Sequence, residues 1–221
     1  MKKINLMVGL CCYGNVHPMF MLSLMELLQL AGGRLHVVTN DSLVSRARNR
    51  VAAEFLASDC DTLLQIDTDI AFDPKDMLKM LQRDLPIVGG MYALKRVEQR
   101  WCMNKLKGKR IKKDGTFQVK YLGTGMLSVK REVFEKMISS KVAKEYSSDD
   151  NEKNMKRWDF FQNGVAYDKE LKRDRYLSED WYFCETAMKL GYKIIADTKN
   201  MGRHYGEACY PLNLKNSDAE K

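Results

Sequence analysis

Asp67-Thr68-Asp69 is the densest piece of chemistry in the chain. Two carboxylates one residue apart, at the end of the apolar run Thr62-Leu63-Leu64-Gln65-Ile66, can hold a hard divalent cation through oxygen. Mn²⁺ or Mg²⁺ held in this way can bridge to a diphosphate. The same residues also suit a polar turn before a helix capped by Asp73. His204, one of only three histidines, stands in the glycine-flanked segment Met201-Gly202-Arg203-His204-Tyr205-Gly206. Its imidazole suits Mn²⁺ as a further ligand, and equally suits a plain surface position. His17 and His36 read as structural, one beside a helix start and one in a strand.

Glu179 and Asp180 follow Ser178 at a second helix start. The helix dipole stabilises a carboxylate there as the anion, which fits simple capping and also fits a base taking a proton from a hydroxyl. Arg46, Asn49 and Arg50 fall at helical spacings of three and four and share a face, with Arg48 nearby. That face could bind phosphate or a nucleotide base, or simply be solvated. Gly123-Thr124-Gly125 permits close backbone approach to a ligand, or a bulge in a strand.

The elements that must position these residues alternate. Ile4 to Cys12 is an apolar strand, Pro18 to about Leu30 a helix apolar nearly all round and therefore expected to be buried, and Arg34 to Thr39 a second strand. Asp41-Ser42 can cap a helix to about Ala57. The strand before Asp67, a helix from Asp73-Pro74 and a strand from Pro86 to Tyr92 follow. This alternation predicts an α/β fold with a mostly parallel sheet covered on both faces, its site beyond the carboxyl ends of the strands.

The second half changes character. Arg100 to Lys113 is basic, Asp114-Gly115 is a hairpin turn, and Phe117, Val119 and Tyr121 alternate with Gln118 and Lys120 as a half-buried strand. A helix near Arg131 to Met137 follows. Residues 139–175 are polar and charged apart from Trp158, Phe160 and Phe161, and read as an irregular insertion or mobile loop. Leu177-Ser178-Glu179-Asp180 opens a helix ending at Gly191, and Tyr192 to Asp197 is a last strand.

Composition sets the bounds. The chain has 221 residues, 45% hydrophobic and 30% charged, which excludes wholesale disorder and suits one domain. No run approaches the roughly 18 apolar residues that span a bilayer. The start is basic then apolar, but no small-residue cleavage site follows, so a cytoplasmic protein is expected. The six cysteines show neither a CxxC pair nor zinc spacing. Lys and Arg number 37 against 29 Asp and Glu, a net +8 that favours anionic partners.

Leu64-Gln65-Ile66-Asp67-Thr68-Asp69 with Phe72-Asp73-Pro74 resembles the strand, DxD motif and following helix start of GT-A fold glycosyltransferases. Ser178-Glu179-Asp180-Trp181-Tyr182-Phe183-Cys184 with Lys189-Leu190-Gly191-Tyr192 resembles their acidic helix start, and His204 their late metal-binding histidine. Order and spacing agree over residues 4–206, and the compact form is similar to the small glycosyltransferases encoded by large algal viruses.

The resemblance implies a Rossmann-like GT-A domain, with a nucleotide-sugar half at 1–98, an acceptor and catalytic half with a smaller hairpin region at 99–210, and a tail at 211–221. It implies a nucleoside-diphosphate sugar donor, a UDP-sugar above all, a glycan acceptor and a Mn²⁺ or Mg²⁺ cofactor, with no nucleic-acid partner. Asp69 and His204 match metal ligands, and Asp67 matches the carboxylate holding ribose or a metal-bound water. Arg46, Arg48, Asn49 and Thr68 would contact the donor. Cys11, Cys12 and Tyr13 would floor its base pocket, and Thr124 and Gly125 would border its sugar. Asp180 matches the acceptor-activating base of inverting members, with Glu179 in reserve. A nucleotidyltransferase would carry a glycine-rich, cationic loop after the first strand. Here that loop is Cys11-Cys12-Tyr13-Gly14-Asn15-Val16-His17, without Lys or Arg. Two non-catalytic readings, a sugar-nucleotide binder and a nucleic-acid binder, complete the alternatives.

Overall fold

The computed structural model describes residues 4–96, 100–147, 155–168 and 171–206, and the backbone of 209–210. The tail expected at 211–221 lies outside the described residues, as do 148–154 and 169–170 of the expected insertion.

β1 (Leu6–Cys12) is apolar throughout because both its faces are covered. Leu6, Val8 and Leu10 point to one core and Met7 to the other. Gly9 belongs to the second face, where a Cβ would come within 2.2 Å of Val51 Cγ1. α1 (Pro18–Ala31) starts on His17, whose Nδ1 accepts from the Met19 N–H, and Pro18 fills the first turn, where no N–H partner is needed. Its Phe20, Leu24 and Leu27 are buried, but Met21, Leu22, Met25 and Leu30 are exposed. The all-round burial expected from its composition is therefore corrected. α1 forms the outer layer, and no second layer among the described residues covers its far side.

β2 (Arg34–Thr39) pairs in parallel with β1 at the sheet edge. α2 (Val44–Ala57) is capped by Leu43 rather than by Asp41 or Ser42. Asp41 instead accepts from the Leu43 N–H and from Arg46. β3 (Thr62–Asp67), β4 (Ile70–Ala71), α3 (Pro74–Leu81) and β5 (Ile87–Met91) follow, α3 being capped by Asp73 through the Lys75 and Asp76 N–H groups. The second half adds β6 (Met103–Lys105), β7 (Thr116–Leu122), β8 (Met126–Lys130) and α4 (Arg131–Ser139).

Residues 139–175 are not simply irregular. They form β9 (Glu145–Tyr146) against β10 (Arg157–Trp158), and β11 (Gly164–Asp168) against β12 (Arg173–Leu177). Phe160 and Phe161 enter the main core, where Phe161 stacks on Phe183 at 4.8 Å and Phe160 meets Phe134 edge-on at 4.9 Å. Two buried aromatic rings anchor this stretch despite its polar composition. α5 (Glu179–Lys189), β13 (Ile194–Met201) and β14 (Arg203–Tyr205) complete the site's frame.

The main sheet has eight strands in the order β2-β1-β3-β8-β5-β13-β7-β6. All but β7 and β8 run the same way. One core packs α2, α4 and α5 on the sheet, the other α1 and α3. This is the expected α/β architecture, a mainly parallel sheet between helices with smaller hairpins beside it. Among the described residues no helix is long and apolar enough to cross a membrane.

Candidate active site

β3 is buried up to Ile66 and delivers Asp67 to its carboxyl end, beside Cys11 of β1 in the parallel register. Carboxylates cannot stay in the apolar strand, so the chain turns there. The turn is clamped at three points. His17 N–H donates to Thr68 O at 2.9 Å, Tyr205 N–H to Asp69 O at 2.8 Å, and Asp67 N–H to Gly125 O at 3.0 Å. The His17 and Tyr205 rings stack at 3.8 Å across the first two.

Asp69 and His204 meet because β14 pairs antiparallel with β4, setting His204 opposite Ile70. His204 Nε2 stands 3.5 Å from Asp69 Oδ1. His204 Nδ1 is 2.8 Å from Ala93 O. A carbonyl only accepts, so Nδ1 carries a hydrogen, and the tautomer this selects turns a lone pair at Nε2 toward Asp69. Asp69 Oδ1 is buried and has no hydrogen-bond partner among the described residues. Two acceptor atoms facing each other without a hydrogen between them suit a cation, so the oxygen and imidazole donors fit the Mn²⁺ or Mg²⁺ expected from the sequence. Lys95 Nζ also reaches Asp69, at Oδ2, 2.5 Å away. Burial alone would raise the Asp69 carboxyl, but its neighbours, the Lys95 ammonium among them, outweigh it and hold it below its ordinary value.

Asp67 is drawn elsewhere, and among the described residues no three His, Cys, Asp or Glu side chains close around one point. Its Oδ1 accepts from Arg48 Nη2 at 2.9 Å. Arg48 is buried on α2, and its other nitrogens reach Gln65 Oε1 and Glu179 Oε1, both at 3.3 Å. The expected triad of metal ligands is thus brought together as a pair, with Asp67 adjoining it. Arg48 is not turned toward solvent to meet a phosphate. It joins the DxD turn to the start of α5.

The start of α5 holds both acids. Ser178 is the N-cap residue, and its hydroxyl donates to Asp180 Oδ1, which also accepts from the Trp181 N–H at 2.8 Å. Burial first, and then the charge of Glu179, raise the Asp180 carboxyl above its ordinary value against the pull of Ser178. Asp180 borders a cavity of about 630 Å³. Glu179 is engaged by Arg48, so the two acids differ in what they can do. Asp180 lines the cavity, and Glu179 faces Arg48.

The other expected donor contacts divide. Gly125 belongs to the site. A Cβ there would come 2.8 Å from Asp67 Oδ2 and 2.7 Å from the Tyr92 hydroxyl, which accepts from the Gly125 N–H. Burial pushes the Cys11 thiol up to about 11, so it stays protonated beside Asp67. Tyr13 is exposed past the end of β1. Thr68 serves through its backbone, as described. Arg46 is half-exposed and held by Asp41. Two residues are corrected. Thr124 is buried, 2% exposed, and does not reach the surface where a sugar was expected to meet it. Asn49 is buried and points to the 159–161 stretch, its amide donating to Asp159 and its carbonyl accepting from the Phe160 and Phe161 N–H groups.

Sequence reasoning missed Lys95, Tyr92, Tyr205 and Gln65. Only Gln65 left a signal, a polar residue inside an otherwise apolar strand that needs a partner.

No family model matches the chain, and no curated protein sequence matches it. Solved structures do. A197 from STIV superposes with a TM-score of 0.57 at 17% identity, covering 95% of each chain. GalNAc-T7, crystallised with UDP, GalNAc and Mn²⁺, superposes with a TM-score of 0.54 at 12% identity over 95% of this chain. The match takes in 44% of GalNAc-T7, so this chain spans less than half its length. A looser likeness, TM-score 0.43 at 14% identity, is to the inositol-1-phosphate CTP transferase from T. maritima, and no conclusion rests on it. At these identities the likeness is one of fold, and the fold of this chain is GT-A-like.

Proposed function

We propose that the protein is a metal-dependent glycosyltransferase that moves a sugar from a nucleoside-diphosphate sugar, a UDP-sugar above all, to a glycan hydroxyl with inversion. The observation that supports it best is the Asp69–His204 pair, two facing acceptor atoms beside the Asp180 cavity in a GT-A-like fold. GalNAc-T7, which shares the fold, was crystallised with UDP and Mn²⁺.

Asp69 and His204 would hold the cation, with Asp67 beside them. When bound, a divalent cation supplies neutralisation of the charge that grows on the diphosphate leaving group. The rest of the chemistry belongs to the chain. The β1 end at Cys11 and Tyr13 floors the base. The Gly125 backbone lets the donor approach Asp67. Asp180 accepts the hydroxyl proton, and its raised carboxyl makes it a stronger base than an ordinary aspartate. Ser178 fixes one of its oxygens, leaving the other for the acceptor. Arg48, by holding Asp67 and Glu179 together, fixes the distance between donor and base.

Calorimetric titration with UDP and a panel of UDP-sugars, with and without Mn²⁺, tests the reading. Metal-dependent binding that Asp69→Ala weakens is the expected result. No binding of any uridine, guanosine or thymidine diphosphate would overturn it.

A further inference from the structure

Asp69 is claimed from two sides. Its Oδ1 faces the lone pair of His204 Nε2, and its Oδ2 takes the Lys95 ammonium at 2.5 Å. Both neighbours come from one stretch of chain. Ala93, just past the end of β5, aims the His204 ring through its carbonyl, and Lys95 follows two residues later. The two are held differently. His204 is fixed by its 2.8 Å contact with Ala93 O and by the Tyr92 ring, edge-on at 5.4 Å. Lys95 has 38% of its side chain exposed, and Asp69 is the one partner of its ammonium among the described residues. A half-exposed pair of this kind is weak, and a lysine reaches its partner on a flexible four-carbon stem.

A divalent cation between Oδ1 and Nε2 would set three positive charges against one carboxylate. Like charges so close repel strongly at a partly buried site. The ammonium and the cation therefore compete for Asp69, and the ammonium is the one that can leave. Its charge is compensated only as long as Asp69 is its own. Once the carboxylate is taken, the nearest new counter-charge is the anion that arrives with the cation.

We infer that Lys95 is an exchangeable counter-ion of the cation site: its ammonium and a divalent cation take turns at Asp69, and the displaced ammonium pairs with the diphosphate of the nucleotide. This deepens the transferase reading and rests on it. Lys95 would then oppose Mn²⁺ that comes alone and favour Mn²⁺ that comes with a nucleotide, so the two bind cooperatively. No covalent bond changes in the exchange. One ion pair is replaced by another, and Lys95 ends on the leaving group, where charge grows during transfer.

The test compares the full chain with Lys95→Met in two titrations. The first is Mn²⁺ alone, with the free ion read by electron paramagnetic resonance. The second is UDP at saturating Mn²⁺, read by calorimetry. Lys95→Met should bind Mn²⁺ alone about fivefold more tightly, the competition of one half-exposed ion pair. It should bind UDP about tenfold more weakly, the loss of one charge-assisted contact. A lysine with a merely structural role would not move the two affinities in opposite directions. Lys107→Met removes the same charge from an exposed turn between β6 and β7 and should change neither. Mn²⁺ affinity that is unchanged or lower in Lys95→Met overturns the inference. So does UDP affinity that does not fall, or an equal response in Lys107→Met. A gain in Mn²⁺ affinity in a chain that binds no nucleotide overturns the transferase reading and leaves the competition at Asp69 standing. Metal-dependent UDP binding with identical Mn²⁺ curves overturns the exchange and leaves the reading. A chain that binds neither Mn²⁺ nor UDP, with or without Lys95, overturns both.

Discussion

Arg48 Nη2 donates to Asp67 Oδ1 across 2.9 Å from a buried position on α2. A cation that spacing alone offers to a phosphate is thereby committed to the protein's own carboxylates. Removing it leaves Asp67 and the largely buried Glu179 without their counter-charge. Arg48→Met should cost about 3 kcal/mol of stability, read as a lower urea midpoint, and Arg48→Lys should recover only part of it because Lys lacks the fork that reaches Asp67, Gln65 and Glu179 together. An unchanged midpoint would show that the ion network contributes nothing net.

Asp180 should tie activity to pH. Its carboxyl is raised chiefly by burial, so the transfer rate should fall, as pH drops, at a higher pH than an ordinary aspartate base would give. The stability effect has the opposite sense. A carboxyl raised in the folded state costs stability above its folded pKa, and the cost disappears as pH falls toward the unfolded value. Asp180→Asn should therefore be more stable than the parent at neutral pH, lose that margin in acid, and transfer sugar about 10² to 10⁴-fold more slowly. Denaturation at two pH values together with single-turnover rates checks both halves.

His204→Ala should weaken Mn²⁺-dependent nucleotide binding while leaving the sheet intact. A loss of metal affinity at least as large as the roughly 10 to 100-fold that removing an outer-shell partner costs is expected, followed by titration of Mn²⁺ into the chain with UDP present. Identical Mn²⁺ curves for the variant and the parent would remove His204 from the metal site.

Gly125→Ala forces a methyl against Asp67 Oδ2, Ile70 Cδ1 and the Tyr92 hydroxyl, each within 2.8 Å of its ideal position. Overpacking of this kind costs about 1–3 kcal/mol, and the displaced Asp67 should weaken donor binding as well. Denaturation alongside calorimetry separates the two effects.

Asn49→Ala removes three hydrogen bonds to the 159–161 stretch. A loss of about 2 kcal/mol is expected, with faster amide exchange at Phe160 and Phe161 and unchanged UDP affinity. A weakened UDP affinity with unchanged exchange would restore Asn49 to the donor site.

Much of this was legible because burial leaves a mark on composition. β1 and β3 are apolar runs, since both faces are covered, and the first polar residues after β3 had to be at its end. Asp67, Asp69 and the acidic start of α5 were found for that reason. The roles of Arg46, Arg48 and Asn49 were not legible. On one helix, positions one or two apart point in different directions, as Arg48 does from Arg46 and from Asn49, and which of them turns inward depends on Gln65, Asp159 and Glu179, remote in the chain. Phe160 and Phe161 were hidden for a related reason. Two aromatic residues in a polar stretch have no period, and their burial is decided by Phe134 and Phe183. The exposure of α1 escaped because an apolar composition says that a surface should be covered, not that the fold supplies a cover.

The β4–β14 ladder has a consequence for how the protein comes into being. It joins Ile70 to His204, strands more than 130 residues apart in the chain, so the facing pair of acceptor atoms is completed only after His204 has been synthesised. Contacts of such long sequence separation close late, because the intervening chain must first be ordered. A nascent chain halted before Arg203 could assemble β1, β3 and α1 around their shared core and still lack half of the proposed metal site. The ability to hold a cation would then report on the docking of β14 as much as on the sheet beneath it.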